Sequence, residues 1–415
     1  MIPTFRRLMR LYFRTIERAG EPPARDTRGR VFVANHTNAL IDPILVMTDA
    51  ACAISPVAKS TLWSIPGLRW LLDRAGAVPI VRRADAPDKD TAANASVFER
   101  IAAHLGGGGN ILIFPEGTSH DLPQLAPLRS GAARMLVAAE ARGGVPPTFQ
   151  AVALEFDART DFRSRCLVLW GPVRRLADVP GDGEDRIRNV TTRMKQDLAE
   201  LLVEGETHED RLRIARVAEL LATDDGDHSL TGWSERGRQV ELARRTLRAV
   251  DQRVVGRVAE HVDAYYAELE RLGLADVQIA GTPVAPHAPL PAWRRAALAP
   301  LAAAGFALYA IPYFLPRYIA RSADPDAAST YKLGAALVVY PIWMGGLLGG
   351  CMILPPPLSL AAAAVVITSP FAALRWLDEI YQRRPEPTAD QRARLARLRI
   401  AARTAIDDAR SRLPS

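Results

Sequence analysis

Two long stretches of the chain contain no charged residue, and they constrain its structure more than any other feature. They cover residues 296–316 and 333–374. A helix needs about 20 predominantly apolar residues to cross the hydrocarbon core of a bilayer, so the first stretch supplies one crossing and the second is long enough for two. Three prolines at 355–357 divide the second stretch and force a turn there. We therefore predict transmembrane segments over residues 293–376, rather than a pair of buried core helices.

The number of crossings stays open between two and three. Residues 375–415, which include the basic tail at 377–415, hold ten arginines against six acidic residues, and this favours the cytoplasm. The N-terminal region lacks an export signal, so we expect it in the cytoplasm as well. Two cytoplasmic ends require an even number of crossings, whereas the lengths suggest three. Pro300, Pro312 and Pro316 make the first segment a candidate for a broken or re-entrant helix.

The first twenty residues have the pattern of an amphipathic helix. Phe5, Leu8, Leu11, Tyr12 and Ile16 fall near one face, and the arginines lie mostly opposite. A basic helix with aromatic residues on its apolar face suits a lipid interface. We therefore predict an interfacial helix over residues 1–20. The alternative is an ordinary helix that packs on the following domain.

Residues 21–184 alternate between short apolar runs and helical patterns. The runs predict strands at 31–34, 76–81, 111–114, 150–156 and 166–170. Helical spacing lies between several of them, as at 92–105 and 130–142. This alternation predicts an α/β fold with a mainly parallel sheet and flanking helices. A charged helical insertion and linker follows over residues 185–292, before the transmembrane helices.

Charge and cysteine usage limit the classes of partner. The net charge is +7 and the isoelectric point is about 9.6, which favours a phosphorylated substrate, an anionic lipid surface or nucleic acid. No DNA-binding motif or basic–aromatic strip is visible, so nucleic acid ranks last. The three cysteines, Cys52, Cys166 and Cys351, lack paired spacing, so we expect neither a disulfide framework nor a metal site.

A histidine and an aspartate follow the first apolar strand. His36 comes directly after it, and Asp42 lies six residues further on, before Pro43. Asp42 has the position of a helix N-cap with proline at the first helical position, which is a purely structural interpretation. A nearby carboxylate also orients a histidine ring for general-base catalysis. No serine or cysteine is placed beside the pair as a nucleophile, so the base would act on the acceptor hydroxyl itself.

Polar residues follow two further strands. Arg82 and Arg83 end the second strand, and guanidinium groups suit bidentate binding of phosphate. Glu116 and Gly117 follow the third, where the carboxylate has hydroxyls or a cation as partners and the glycine permits close backbone approach. With Arg129, which precedes a predicted helix, these arginines favour an anion site beside His36.

Four sequence blocks resemble the glycerolipid acyltransferases, which include glycerol-3-phosphate and lysophosphatidate acyltransferases. They are NHTNALIDP at 35–43, GAVPIVRR at 76–83, FPEGTSHD at 114–121 and GVPPTFQAVAL at 144–154. The resemblance covers residues 35–154. It implies an acyl group donated by acyl-CoA or acyl carrier protein as co-substrate. We expect no cofactor, and a role in phospholipid biosynthesis with the catalytic domain on the cytoplasmic side of the membrane.

The resemblance also implies roles for single residues. His36 would be the general base and Asp42 its orienting partner. Arg82, Glu116 and Gly117 would bind the glycerol phosphate. From their positions beside these residues, we add Arg83, Thr118 and Arg129 as substrate-binding candidates.

Two departures from the common family pattern narrow the acceptor. Five residues separate His36 from Asp42 where the family usually has four, and Ser119 stands where an arginine is usual. Both variants resemble a yeast-type subgroup of glycerol-3-phosphate acyltransferases, so we expect glycerol 3-phosphate as acceptor, at its sn-1 hydroxyl. The alternatives are lysophosphatidate or another lysophospholipid as acceptor, and a non-catalytic lipid-binding membrane protein.

Overall fold

The structure is a computed structural model that describes residues 2–65, 67–81, 92–281, 290–325, 327–382 and 385–413. The chain forms two compact units. Unit 1 comprises Met1–Ile214 and Ser229–Glu241, and unit 2 comprises Ala215–His228 and Leu242–Ser415.

Unit 1 contains a mainly parallel sheet, as predicted. Its described strands are β1 (Thr15–Gly20), β2 (Arg30–Ala34), β3 (Ser55–Lys59), β4 (Val78–Ile80), β5 (Ile111–Ile113), β6 (Thr148–Phe156) and β7 (Arg165–Arg175). They lie in the order β1-β7-β6-β2-β5-β3-β4. The β6–β7 ladder is antiparallel, and the other ladders are parallel.

Helices cover the sheet. In unit 1 they are α1 (Ile2–Tyr12), α2 (Ile41–Asp49), α3 (Leu68–Arg74), α4 (Ala92–Gly106), α5 (Gly131–Arg142) and α6 (Gly183–Ala199). Strands β2 and β5 bury β-branched residues against α4, α5 and α6, with Val31, Ile111 and Leu136 in one continuous core. Burial of one such side chain stabilises the fold by about 1.5–3 kcal/mol. This core holds the carboxyl ends of β2 and β5 rigidly side by side.

The N-terminal helix is shorter than predicted. It ends at Tyr12, and residues 15–20 form β1, because this segment pairs in register with β7 from Thr15 to Gly20. Met9 and Tyr12 are buried, and Arg6 Nε donates to the carbonyl of Thr48 at 2.8 Å in α2. Part of the apolar face therefore packs on unit 1, while the interfacial role of the helix stays a prediction.

Two helices cross the boundaries of the units: α7 (His208–Asp224) and α8 (Leu230–Val250). The remaining helices belong to unit 2. They are α9 (Gln252–Leu272), α10 (Asp276–Ala280), α11 (Ala292–Leu308), α12 (Ala310–Ala320), α13 (Ala328–Cys351), α14 (Pro356–Gln382) and α15 (Ala389–Ser411). Helix α9 packs on α15, and Arg399 of α15 binds Asp276 at the start of α10. The described part of the predicted insertion at 185–292 is thus mainly helical, although Val190 and Met194 of α6 belong to the core of unit 1.

Three helical segments within the described residues are long and apolar enough to cross a membrane. They span Ala292–Ala320, Ala328–Cys351 and Pro356–Glu379. The turn predicted at prolines 355–357 is confirmed, since α13 ends at Cys351 and α14 begins at Pro356. The first segment is broken at Tyr309, between α11 and α12. The sidedness of the chain stays a prediction.

The break follows from a proline. Pro312 has no N–H to donate to the carbonyl of Leu308, and Nε1 of Trp343 donates to that carbonyl instead, at 2.7 Å. Pro370 likewise frees the carbonyl of Val366, which accepts a 2.8 Å hydrogen bond from the hydroxyl of Tyr309. In hydrocarbon, a backbone carbonyl without a partner costs several kcal/mol. Side chains of neighbouring helices thus complete the backbone hydrogen bonding of α11 and α14.

Candidate active site

The candidate site lies where parallel strands of unit 1 end. Strands β2 and β5 are neighbours, with Val31 paired to Ile111, so the loops that follow them leave the same edge of the sheet. His36 lies in the first of these loops and Glu116 in the second. In α/β sheets, ligands bind outside the carboxyl ends of the strands. The fold therefore places two of the predicted site residues at a suitable edge.

His36 and Asp42 are in contact. Nδ1 of His36 lies 3.0 Å from Oδ2 of Asp42. The same oxygen accepts the backbone N–H groups of Thr37 at 2.8 Å and Asn38 at 2.7 Å. The Asp42 side chain is fully buried, whereas the His36 ring keeps 12% of its surface exposed. The pair thus has one fixed member and one member that solvent or a substrate can reach.

Asp42 does not cap helix α2, which was the structural alternative to its pairing with His36. Helix α2 begins at Ile41 with Leu40 as its N-cap, and Asp42 lies inside the first turn. Its carboxylate turns back to the loop because the N–H groups of Thr37 and Asn38 converge on it. The one extra loop residue does not separate the pair. Ala39 adopts a φ of +35°, an uncommon conformation for a residue with a Cβ.

These contacts fix the chemical state in which His36 can act. A carboxylate only accepts hydrogen bonds, so Nδ1 carries the proton that is donated to Asp42. Nε2 is then the nitrogen that can accept a proton. The ring stacks on Phe114, with centroids 4.2 Å apart and an angle of 23° between the planes. The ring therefore has one orientation, which is what a general base requires.

Glu116 holds the loop that carries His36 through hydrogen bonds to its carboxylate. Its buried carboxylate accepts the backbone N–H of His36 on Oε1 at 2.7 Å and the N–H of Ala126 on Oε2 at 3.0 Å. His120 Nε2 also bonds to Oε2. Protein donors thus occupy both oxygens. The structure places Glu116 as a support for His36, and its direct contact with the glycerol phosphate stays a prediction.

His120 is a residue that we did not predict for the site. Its Nδ1 accepts the N–H of Leu122 at 3.2 Å, so its Nε2 carries the proton that is donated to Glu116. Its backbone N–H donates to the carbonyl of His36 at 3.1 Å. The peptide groups on both sides of His36 are therefore held by residues 116–120. The signal was present in the SHD ending of the third block, but spacing alone did not assign it.

Gly117 and Arg129 meet on the same loop. Gly117 has a φ of +83°, and a Cβ at this position would lie 2.6 Å from Nε of Arg129. The missing side chain therefore lets the guanidinium lie across the loop. Within the described residues, the Arg129 side chain has neither an ion pair nor a hydrogen-bond partner. It is exposed and available to an anion.

Of the other predicted substrate-binding residues, the structure describes Thr118 but not Arg82 or Arg83. Thr118 is exposed, one residue beyond Gly117. Arg82 and Arg83 lie outside the described residues, so their predicted contacts stay predictions. Strand β4 ends at Ile80, parallel to β3. Across the part of the chain that the structure describes, no cluster of three His, Cys, Asp or Glu side chains could hold a metal ion.

Comparison with known proteins shows what this domain is similar to. Residues 15–153 match the family model named Acyltransferase. A stretch of 82 residues is 37% identical to glycerol-3-phosphate O-acyltransferase 2 of Saccharomyces cerevisiae, and it covers 19% of this chain and 11% of the yeast protein. The crystal structure of the 1-acyl-sn-glycerophosphate acyltransferase PlsC from Thermotoga maritima is 16% identical with a TM-score of 0.34, over 48% of this chain and 78% of that one. The matched residues include His36, Asp42 and Glu116, so the part of the chain that carries the candidate site is the part that is similar to the Acyltransferase family.

Proposed function

We propose that the chain is a membrane-bound O-acyltransferase of phospholipid biosynthesis. It transfers a fatty acyl group from acyl-CoA or acyl carrier protein to the sn-1 hydroxyl of glycerol 3-phosphate. The observation that carries the proposal is the 3.0 Å contact between His36 and Asp42 at the carboxyl edge of the sheet. A buried carboxylate that orients an accessible imidazole is the arrangement that general-base catalysis requires.

The reaction proceeds by direct transfer in this proposal. Nε2 of His36 removes the proton of the acceptor hydroxyl as its oxygen attacks the thioester carbonyl. Asp42 stabilises the imidazolium that forms, because its Oδ2 accepts the Nδ1 proton. The tetrahedral intermediate then collapses: the new C–O ester bond is retained, the C–S bond breaks, and the imidazolium returns its proton to the departing thiolate. The histidine ends the cycle as it began.

The acceptor's phosphate is bound by arginine in this proposal. Arg129 is exposed beside Gly117 on the loop that also carries Glu116. A planar guanidinium matches two phosphate oxygens at once. Arg82 and Arg83, which follow β4, complete the binding set. The phosphate thereby fixes the distance of the sn-1 hydroxyl from His36.

Glycerol 3-phosphate is proposed as acceptor on two grounds. The yeast relative, of which the matching stretch covers 11%, carries the name glycerol-3-phosphate O-acyltransferase 2. The chain also has Ser119 in the third block, together with the longer spacing from His36 to Asp42. We place the enzyme in the cytoplasmic membrane, with unit 1 on the cytoplasmic side.

An acceptor panel tests the proposal. The purified chain in proteoliposomes is given labelled acyl-CoA or acyl carrier protein with glycerol 3-phosphate, dihydroxyacetone phosphate, lysophosphatidate or lysophosphatidylcholine. We expect glycerol 3-phosphate to give the highest kcat/KM. His36→Ala should lower turnover by about 10²–10⁴-fold, the usual loss for a general base. Wild-type turnover in that variant would refute the mechanism, and a preference for lysophosphatidate would refute the acceptor.

A further inference from the structure

Unit 1 carries an apolar element that it does not bury. A 3-10 helix at Ser60–Ser64 packs against α3 (Leu68–Arg74), and we call residues 60–65 and 67–74 together the apolar hairpin. Within it, Leu72 is the one described side chain that is buried. Trp70 is 68% exposed and Ile65 is 47% exposed. Other apolar residues of the hairpin are half-buried: Leu62, Trp63, Leu68 and Leu71.

Exposed apolar surface of this kind marks a site that binds a protein, a membrane or a ligand. Single exposed apolar residues are common on soluble proteins, but here two exposed and four half-buried apolar residues lie within one short hairpin. Tryptophan is enriched at membrane–water interfaces, because its ring is apolar and its N–H is polar. The chain also contains three helical segments of membrane-spanning length within its described residues. A lipid bilayer is therefore the apolar partner that we assign to the hairpin.

The charges of the hairpin favour an anionic surface. Arg69 and Arg74 are exposed. The acidic residue among them, Asp73, accepts a 2.7 Å hydrogen bond from Nε1 of Trp63 and lies 3.8 Å from Nε of Arg69. Arg69 is therefore the ionic partner of Asp73, and Arg74 gives the hairpin a net positive charge beside its apolar residues. This combination of apolar centre and basic rim is that of an element which lies in the headgroup region of an anionic bilayer.

The hairpin begins at the same edge of the sheet as the candidate site. Strand β3 is parallel to β5, and β5 is parallel to β2. The chain therefore leaves β3 at Lys59 on the edge where it leaves β2 towards His36. Two strand spacings amount to about 9–10 Å. The apolar hairpin therefore starts about two strand spacings away from the start of the loop that carries His36.

We propose that the apolar hairpin is a lipid-binding surface that seats the carboxyl edge of the sheet on an anionic phospholipid bilayer. This contact does not depend on catalysis. Its use, which is to bring acyl chains to His36 along the bilayer surface and to release the acylated product into it, rests on the proposed function.

Fluorescence quenching in proteoliposomes tests the contact without any measurement of activity. Trp70→Cys in the full chain is labelled with the environment-sensitive fluorophore NBD. The native cysteines, Cys52, Cys166 and Cys351, are buried, and labelling of the wild-type chain gives the background. The matched control is Leu212→Cys, an apolar position of unit 1 that is 49% exposed. The vesicles contain phosphatidylcholine and phosphatidylglycerol, with or without brominated acyl chains.

We expect brominated lipid to quench the label at position 70 and to leave the label at position 212 unquenched. Quenching should weaken when Arg69→Glu or Arg74→Glu is added, or when phosphatidylglycerol is omitted. Arg142→Glu, a charge reversal elsewhere in unit 1, should leave it unchanged. An unquenched label at position 70, or equal quenching at positions 70 and 212, would overturn the proposal. A label that ignores lipid but responds to acyl carrier protein would show a protein-docking surface and overturn it as well.

The quenching assay and the acceptor panel test the two proposals independently, so either proposal can be refuted without the other. A chain that transfers acyl groups but shows no quenching retains the proposed function and loses this surface. A chain that shows quenching but transfers nothing retains the surface and loses the enzyme.

Discussion

The backbone N–H of His36 donates a 2.7 Å hydrogen bond to Oε1 of Glu116, a residue 80 positions further along the chain. This bond joins the loops that follow β2 and β5, and it fixes the backbone of the proposed base. His120 completes the connection, since it bonds to Oε2 of Glu116 and to the carbonyl of His36. The imidazole of His36 is therefore positioned by residues that need not touch the substrate.

His120 should act as a positioning residue. His120→Ala removes the donor to Glu116 and should lower kcat by about tenfold or more, because small misplacements of a catalytic group are costly. His120→Gln places an N–H donor where Nε2 was and should recover much of the loss. KM for the acyl donor should stay unchanged in both. Equal kcat values for the Ala and Gln variants would contradict this role, as would a loss confined to thermal stability.

Asp42→Asn tests whether the carboxylate charge contributes to catalysis. The amide oxygen can still accept the N–H groups of Thr37 and Asn38, so the loop should fold. An uncharged partner stabilises the imidazolium poorly and permits the wrong tautomer, so kcat should fall on the order of 10²-fold or more. Steady-state kinetics and circular dichroism on the same preparation measure both effects. Unchanged kcat with a folded protein would remove Asp42 from the mechanism.

Gly117→Ala should weaken acceptor binding through Arg129. The new Cβ requires the guanidinium to move, and the positive φ costs about 1–2 kcal/mol for a residue with a side chain. KM for glycerol 3-phosphate should rise by about tenfold, as it should in Arg129→Ala, and the double variant should be less than additive. Gly131→Ala is the matched control, because a Cβ there meets nothing within 4 Å. Additive effects would show that the two residues act independently.

The thiol of Cys166 should resist alkylation. Burial raises its pKa well above the ordinary value, and the nearby carboxylate of Asp157 adds to the effect. At pH 8 the folded chain should therefore react slowly at Cys166, and the unfolded chain should react fully. Because the unfolded thiol ionises first as the pH rises, this group also lowers the free energy of unfolding above its ordinary pKa of about 8.5. Rapid labelling of the native protein at neutral pH would disagree with this burial.

Particular residues show what the sequence predicts and what it leaves open. Strands β2 and β5 were predicted because their β-branched residues are buried on both faces. Strand β1 was not predicted, because its sequence, TIERAG, has polar residues that serve tertiary contacts. Glu17, for example, accepts the N–H groups of Leu230 and Thr231, more than 200 residues away.

The candidate site divides in the same way. Its residue types and strand-end positions suggested the pair of His36 and Asp42, and their contact is present in the structure. The partners of the Glu116 carboxylate were not predictable, since three of its hydrogen bonds come from groups whose positions depend on the folded loops. Local capping rules offered the N-cap as an alternative role for Asp42, but they do not include the N–H groups of Thr37 and Asn38 that the preceding loop presents to its carboxylate.

Trp343→Phe should destabilise the apolar helices of unit 2. It deprives the Leu308 carbonyl of its donor while keeping an aromatic ring, and an unsatisfied buried acceptor costs about 1–3 kcal/mol. A lower midpoint of unfolding in detergent, with unchanged helix content at low temperature, is the expected result. Trp293→Phe, at an exposed position before the first apolar stretch, is the control. Equal midpoints in the two variants would contradict the role of this bond.

The two borrowed donors, Trp343 and Tyr309, also impose a sequence of events on biogenesis. The Leu308 carbonyl of α11 is satisfied by Trp343 of α13, which is synthesised later, and the Val366 carbonyl of α14 is satisfied by the hydroxyl of Tyr309, the residue after α11. The first apolar segment therefore keeps an unsatisfied carbonyl in hydrocarbon until α13 has been inserted beside it. We therefore expect the three segments to leave the translocon together rather than one at a time.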